Sequence, residues 1–353
     1  MTRTDPVLAS PTSRYVGEMR PVRRAAQLSV VVATVAVVLG LLAPMLVERG
    51  QLLVLVVGFL VGLPHGAVDH LVPFWTGWVR RSPASMLAVL VGYVAVAVLT
   101  WAGLHWAGPV MLPLLLGVSV VHFGAGDLMA DRDDDPYGRP LPGVALVIAV
   151  LARGGPVVAG PLLVWAAQAG RALAAVQLDF TTPVLWVRVL LAGVVAACVL
   201  ASAVRSVRTR QHRAAVEVVL LVMLFVAVPP LAAFGIYFGA WHGLRHTARL
   251  MARDPCNQAD LAAGRLLRPL RRFAVSAALP TLVAGGSAAA LVVAASQITT
   301  AEARKISSRT SDGNDDMRTL GQVGCGRPAR RVDVVLGVGR SGRVRRRRRG
   351  AGP

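Results

Sequence analysis

Charge is what this chain has least of for its size. Only 16% of its 353 residues are Asp, Glu, Lys or Arg, where a soluble domain carries roughly a quarter. Aromatic residues are scarce too, at 5%, and the 55% hydrophobic content is mostly Val, Leu and Ala. That deficit excludes an ordinary soluble enzyme and points to a polytopic helical membrane protein. Cysteine is nearly absent: Cys198, Cys256 and Cys325 share no CxxC or other paired spacing, which excludes a disulfide framework. No cleavable signal peptide is evident, because the first apolar run, from near Ala25, is too long for an h-region. It reads as a first span. There is no convincing internal repeat.

Acidic residues number 18 against 38 Lys and Arg, for a net charge of +20. Such a surplus is often a nucleic-acid signal, but its distribution argues otherwise here. Residues 299–353 hold 14 Lys/Arg against 5 Asp/Glu. The remaining surplus is spread over short connections between apolar segments, the pattern left by cytoplasmic retention of arginine beside membrane spans. The expected partner is the lipid bilayer, with no nucleic acid.

A spanning helix needs about 20 mostly apolar residues. Segments near that length occupy residues 26–47, 51–73, 84–107, 109–130, 141–168, 184–204, 214–229, 231–250 and 272–297. Pro156 and Pro161 are expected to interrupt the fifth, and Pro229–Pro230 to divide one bent span into two. The fold class is therefore all-α, a transmembrane bundle of about eight spans. Arg20, Arg23 and Arg24 precede the first span. Arg80–Arg81, Arg205/Arg208/Arg210/Arg213 and Arg253/Arg265/Arg268/Arg271/Arg272 follow the second, sixth and eighth segments. With a cytoplasmic N-terminus these connections share one side, as a multi-pass protein of the cell membrane requires. Three regions result: a cytoplasmic segment 1–25, the bundle 26–297, and a basic tail 298–353 ending in VRRRRRG. The tail could bury no core and is expected to be disordered. Nine spans would place it outside, so either a span is miscounted or the tail is not native-like sequence.

Seven histidines remain to be placed. His212 lies in an arginine cluster and reads as a solvated residue. His105, in WAGLHW, sits between Trp101 and Trp106 at a span end, where aromatic belts gather. His65 and His70 in GLPHGAVDH, His122 in HFGAGD, and His242 and His246 in YFGAWHGLRH lie in or at the ends of apolar segments. Ionisable groups at such depth are costly and by default mark function. One of them alone is more often a hydrogen-bonded core residue; four or five on separate spans are harder to dismiss. His242 and His246 are four apart, so on a helix they share a face and could ligate one ion. His65 and His122 come from two other spans, and bundles place metal sites where such helices converge.

Imidazole without thiolate suits Zn, Cu, Fe or Ni. Asp69 and Asp127, four and five residues beyond His65 and His122, could accept the free ring N–H groups. Equally, they could pair with a buried arginine such as Arg245. Phe123, Tyr237, Phe238 and Trp241 neighbour the candidate ligands and either line a substrate passage or pack the core. Gly62, Gly66, Gly124, Gly126, Gly239 and Gly243 would allow close helix approach.

These three motifs, in this order on a multi-span helical chain, resemble the Brp/Blh family of membrane β-carotene cleavage enzymes over roughly residues 50–290. The resemblance implies an Fe(2+) dioxygenase that splits the central 15,15′ double bond of β-carotene with O2, giving two molecules of retinal. It also implies a metal held by His65, His122, His242 and His246, with no catalytic side chain beyond the metal centre. A retinal-binding opsin would be a downstream partner. His70 stands five residues past His65, about 140° around a helix, and is left with Asp69, Asp127 and Arg245 as a candidate supporting residue. Family members continue in apolar sequence where this chain turns polar after about residue 297. Two other classes compete. A b-type membrane cytochrome would use transmembrane histidines as haem ligands, and a transporter would use Asp69, His70 and Asp127 as a polar track.

Overall fold

Runs of Val, Leu and Ala in hydrocarbon can satisfy their amides only within a helix or a closed barrel, and this chain takes the first course. The computed structural model describes residues 20–134, 141–175 and 183–287, all within one compact unit, Met1–Ala295, and no strand occurs among them. The basic tail, and nearly all of the N-terminal segment, lie outside the described residues.

The helices are α1 (Arg20–Leu42), α2 (Pro44–Ala67), the short α3 (Val72–Trp75), α4 (Pro83–Asp134), α5 (Gly143–Val164), α6 (Ala166–Ala175), α7 (Leu185–Arg208), α8 (His212–Ala227) and α9 (Pro230–Ile236). A π-helical turn, Tyr237–Gly243, joins α9 to α10 (Leu244–Arg253); α11 (Gln258–Ala262) and a further helix, α12 (267–287), follow. Five stretches among the described residues are long and apolar enough to cross a membrane: Arg20–Leu42, Pro44–Trp75, Pro83–Asp131, Gly143–Val164 and Leu185–Arg208. The third covers two of the segments expected from sequence, which meet at a kink where Ala107 leaves helical geometry (φ −132°, ψ 34°).

The prolines behave in two ways. Pro229–Pro230 ends α8 at an extended Val228 and restarts the chain as α9, as expected. Pro156 and Pro161 do not interrupt α5, which runs unbroken from Gly143 to Val164. Buried against neighbouring helices, such a helix tolerates the missing amides. The buried stretch Ala152–Val157 keeps this one packed.

The core centres on α8, α9 and the π turn, where Leu221, Leu224, Phe225, Val228, Tyr237 and Trp241 pack with Ala33 and Val37 of α1. α2 lies against α9 so closely that a Cβ on Gly58 or Gly235 would enter the other's backbone. Small residues are what permit that approach without a hydrophobic force between spans.

The arginine-rich connections gather at one end. Val22 and Ala25 of α1 pack on Ala248 of α10, and Val68 packs with Leu250, Met251 and Phe273. Val22 and Ala26 also share a cavity wall with Thr209 and Arg210 of the α7–α8 turn.

Candidate metal centre

The π turn is the element that builds the site. Its sequence, YFGAWHG, carries glycine at two positions, and the Leu244 amide reaches back five residues to the Gly239 carbonyl. π turns inside α-helices recur at functional sites. This one aims Tyr237, Trp241 and His242 inward together, all three buried. His246 follows on the first turn of α10, its ring stacked on His242 with centroids 5.5 Å apart.

His65 comes from the last turn of α2. Its ring meets His242 at 5.3 Å and His246 at 5.4 Å, edge-on in both cases. His122, from the second half of α4, meets His242 at 5.6 Å. Four imidazoles from three helices thus surround one space. A ligand nitrogen lies about 2.1 Å from its ion, so two rings on one ion at a tetrahedral angle have centroids about 5.3 Å apart. The observed spacings equal that value or exceed it by a few tenths of an ångström. Among the described residues no group of three or more His, Cys, Asp or Glu stands ready to hold an ion as placed.

The ring nitrogens are polarised for such a role. Asp127 accepts His242 Nδ1–H at 2.9 Å, leaving Nε2 of His242 as the lone-pair nitrogen. That Nε2 is buried and has no hydrogen-bond partner among the described residues. A buried polar atom without a partner requires an explanation, and a cation between the rings supplies one. His65 Nδ1 donates to the Gly62 carbonyl, so its Nε2 is likewise the free nitrogen. Neutral imidazoles without thiolate suit Zn, Cu, Fe or Ni.

Asp127 is the hub behind the rings. Besides His242 it accepts Tyr237 Oη–H at 3.1 Å and Trp241 Nε1–H at 3.2 Å, all on a carboxylate only 2% exposed. Among the described residues it forms no ion pair with an arginine; its partners are the ring and the two aromatic donors. Arg245 instead lies 4.0 Å over the Trp241 ring and pairs with Glu217 at 2.9 Å and Asp131 at 3.5 Å. Asp69 and His70 sit on a 3-10 turn, Asp69–Leu71. His70 donates to the Ala67 carbonyl at 2.9 Å, and no ring contact ties it to the four histidines among the described residues. His105 is exposed and stacked on Trp101, and His212 is exposed at the start of α8.

The aromatic neighbours divide. Tyr237 and Trp241 are committed to Asp127 and the core. Phe123 stands edge-on to His242 at 5.2 Å and Phe238 lies 5.5 Å from His65. Phe234 and Phe59, not anticipated from sequence, extend that half-buried row at 5.8 Å and 4.8 Å from Phe238. Glu217, Asp131 and Arg153 were also missed, although an Arg or Glu inside an apolar run is itself a signal. Of the six glycines, Gly66 has open space where a Cβ would be, so it needs no close approach.

Gly126 is different. A Cβ there would stand 2.8 Å from His242 Cε1. Gly126→Ala should therefore displace the ring while favouring the helix by up to about 1 kcal/mol. The expected result is bound metal reduced about tenfold or more, with a melting temperature unchanged or raised. Equal metal content would show that the ring has room to move.

A helical bundle with membrane-length spans and a cluster of four imidazoles, two of them buried, is the class of molecule these elements define. Comparison with known proteins makes it specific. Residues 54–308 match the family model for beta-carotene 15,15′-dioxygenase, and the chain belongs to that family of oxygenases. It is 31% identical over 242 residues to the probable beta-carotene 15,15′-dioxygenase Blh of Halobacterium salinarum, covering 63% of this chain and 68% of that one. A beta-carotene 15,15′-dioxygenase from an uncultured marine bacterium is 27% identical over 189 residues, covering 53% and 64%. The probable dioxygenase Brp of H. salinarum is 29% identical over 236 residues, covering 61% and 62%. The chain thus spans about two thirds of the length of these relatives. No solved structure matches it.

Proposed function

We propose that this chain cleaves β-carotene oxidatively at the central 15,15′ double bond, adding O2 to give two molecules of retinal. We infer that the reaction depends on iron(II) held by His65, His122, His242 and His246. The observation that carries this reading is the buried Nε2 of His242, without a hydrogen-bond partner among the described residues, on a ring in contact with three other imidazoles inside a member of this family. Bound iron(II) would supply the activation of dioxygen beside the polyene.

The chain's own residues supply the rest. Asp127 fixes the His242 tautomer, and such supporting carboxylates are typically worth 10- to 100-fold in metal affinity or activity. The substrate is a rigid hydrocarbon that partitions into lipid, so it should arrive sideways from the bilayer. His122 is the exposed member of the four, and its neighbours on α4, Leu114, Val118 and Val121, form an exposed apolar face. Phe123, Phe234, Phe238 and Phe59 then offer π-faces beside the rings. The gathering of the arginine-rich connections at one end supports a multi-pass protein of the cell membrane with a cytoplasmic N-terminus. The haem reading gains nothing: His65 and His242 are in ring contact, which leaves no porphyrin plane between them. The polar-track reading is weakened because Asp127 is closed off by three donors.

Expression in cells that accumulate β-carotene tests the proposal. The expected result is fading of the orange colour with retinal in the extract, and iron in the purified protein. Intact carotene, with iron-free protein demonstrably in the membrane, would overturn it.

A further inference from the structure

A cavity of about 900 Å³ opens at the arginine-rich end of the bundle, between α1, the ends of α4 and α5, and the α7–α8 turn. Its wall carries five arginines, Arg153, Arg205, Arg210, Arg213 and Arg245, against two carboxylates, Asp131 and Glu217. Those carboxylates are already engaged. Asp131 pairs with Arg153 at 2.7 Å, and Glu217 pairs with Arg213 at 2.8 Å and Arg245 at 2.9 Å. Most of the positive surplus therefore belongs to Arg205 and Arg210, whose guanidinium groups form no ion pair among the described residues.

Two further observations point to a ligand. Ser202 and Ser206, at 6% and 7% exposure, are more than nine-tenths buried. Both border this cavity, and neither hydroxyl engages a hydrogen-bond partner among the described residues. They lie one turn apart on α7, flanking Arg205. Arg210 is the one described non-glycine residue with a left-handed backbone, φ 62°. That conformation is unfavourable for an L-residue, and strain of this kind collects at ligand clamps. Here it turns an arginine into the cavity at the one position where glycine would close the helix most easily.

We propose that this cavity is a binding site for a phosphate group, clamped by Arg205 and Arg210 with Ser202 and Ser206 as hydroxyl donors. Arginine and hydroxyl groups together match the acceptor oxygens of a phosphate. The cavity lies between helices at the arginine-rich end, where basic pockets hold anionic lipid headgroups. The same chemistry would accept a free phosphate.

The test uses the full chain in nanodiscs of phosphatidylcholine, with and without phosphatidylglycerol, and with inorganic phosphate added to the former. Thermal midpoint and bound lipid, by native mass spectrometry, are the readouts. A rise in midpoint with phosphatidylglycerol alone assigns a lipid headgroup; a rise with inorganic phosphate as well assigns a free phosphate. Arg205→Gln/Arg210→Gln should weaken either about tenfold or more. Ser202→Ala/Ser206→Ala, which leaves the turn intact, should weaken it by a smaller factor and guards against a misfolded arginine variant. No response to either anion, or an unchanged response in both variants, overturns the proposal.

Discussion

His242→Ala should lower retinal formation by about three orders of magnitude or more and strip the purified protein of iron. His242 touches all three other imidazoles and, among the described residues, is the only one of the four whose ring is gripped by a carboxylate. On the proposed assignment its loss removes a ligand, and it leaves Asp127 with two neutral donors in place of the ring it orients. Asp127→Asn should act more mildly, within the 10- to 100-fold range for a supporting carboxylate. The ratio of the two effects separates ligation from orientation. Metal content and single-turnover retinal yield on the two variants measure it. An iron-replete, active His242→Ala protein would sink the ligand assignment while leaving family membership untouched.

The second large effect is on stability. Arg245 is 2% exposed, and Glu217 is its closest partner at 2.9 Å. Glu217→Leu leaves that guanidinium with Asp131 at 3.5 Å as its only carboxylate among the described residues. Removing one partner of a buried pair typically costs roughly 3–5 kcal/mol, because the other charge is left uncompensated. Glu217→Leu should thus be severely destabilised in detergent. The double change Glu217→Leu/Arg245→Met should recover much of the loss, since replacing both partners by apolar groups is often neutral. Thermal midpoints of the two single variants and the double one close the cycle. Equal destabilisation in Glu217→Leu and the double variant would mean that the ion pair is not what Glu217 provides.

The histidine positions were legible because hydrocarbon makes any polar residue conspicuous. Five histidines inside apolar segments stood out on composition alone, and the four-residue spacing of His242 and His246 survives the π turn as a ring stack. Partner choice was not legible. Asp127 lay at equal odds between a ring N–H and Arg245, and only packing decides it, by bringing Tyr237 and Trp241 to the same carboxylate. Those two residues could be read either as passage lining or as core packing, because an aromatic beside a motif has the same letter whether its polar tip is engaged or free. The α5 prolines misled for a related reason. Proline's local cost is visible in one dimension, but the neighbouring helices that offset it are not. Glu217 and Arg153 were readable in principle, each a single charge in an apolar run, but their meaning lay in partners distant along the chain.

The turn from Tyr237 to Gly243 has a consequence for how this chain tolerates change in length. A π turn is an α-helix accommodating a surplus residue, and one residue of α-helix corresponds to about 100° of rotation. The helix before the turn and the helix after it are therefore out of phase by an amount that belongs to neither alone. α9 is keyed to α2 through Gly58 and Gly235, and α10 to α1 through Ala248 and Val22. Removing a single residue between those two anchors would leave both interfaces chemically intact and yet unable to form together. The segment is protected less by the identity of its side chains than by its count.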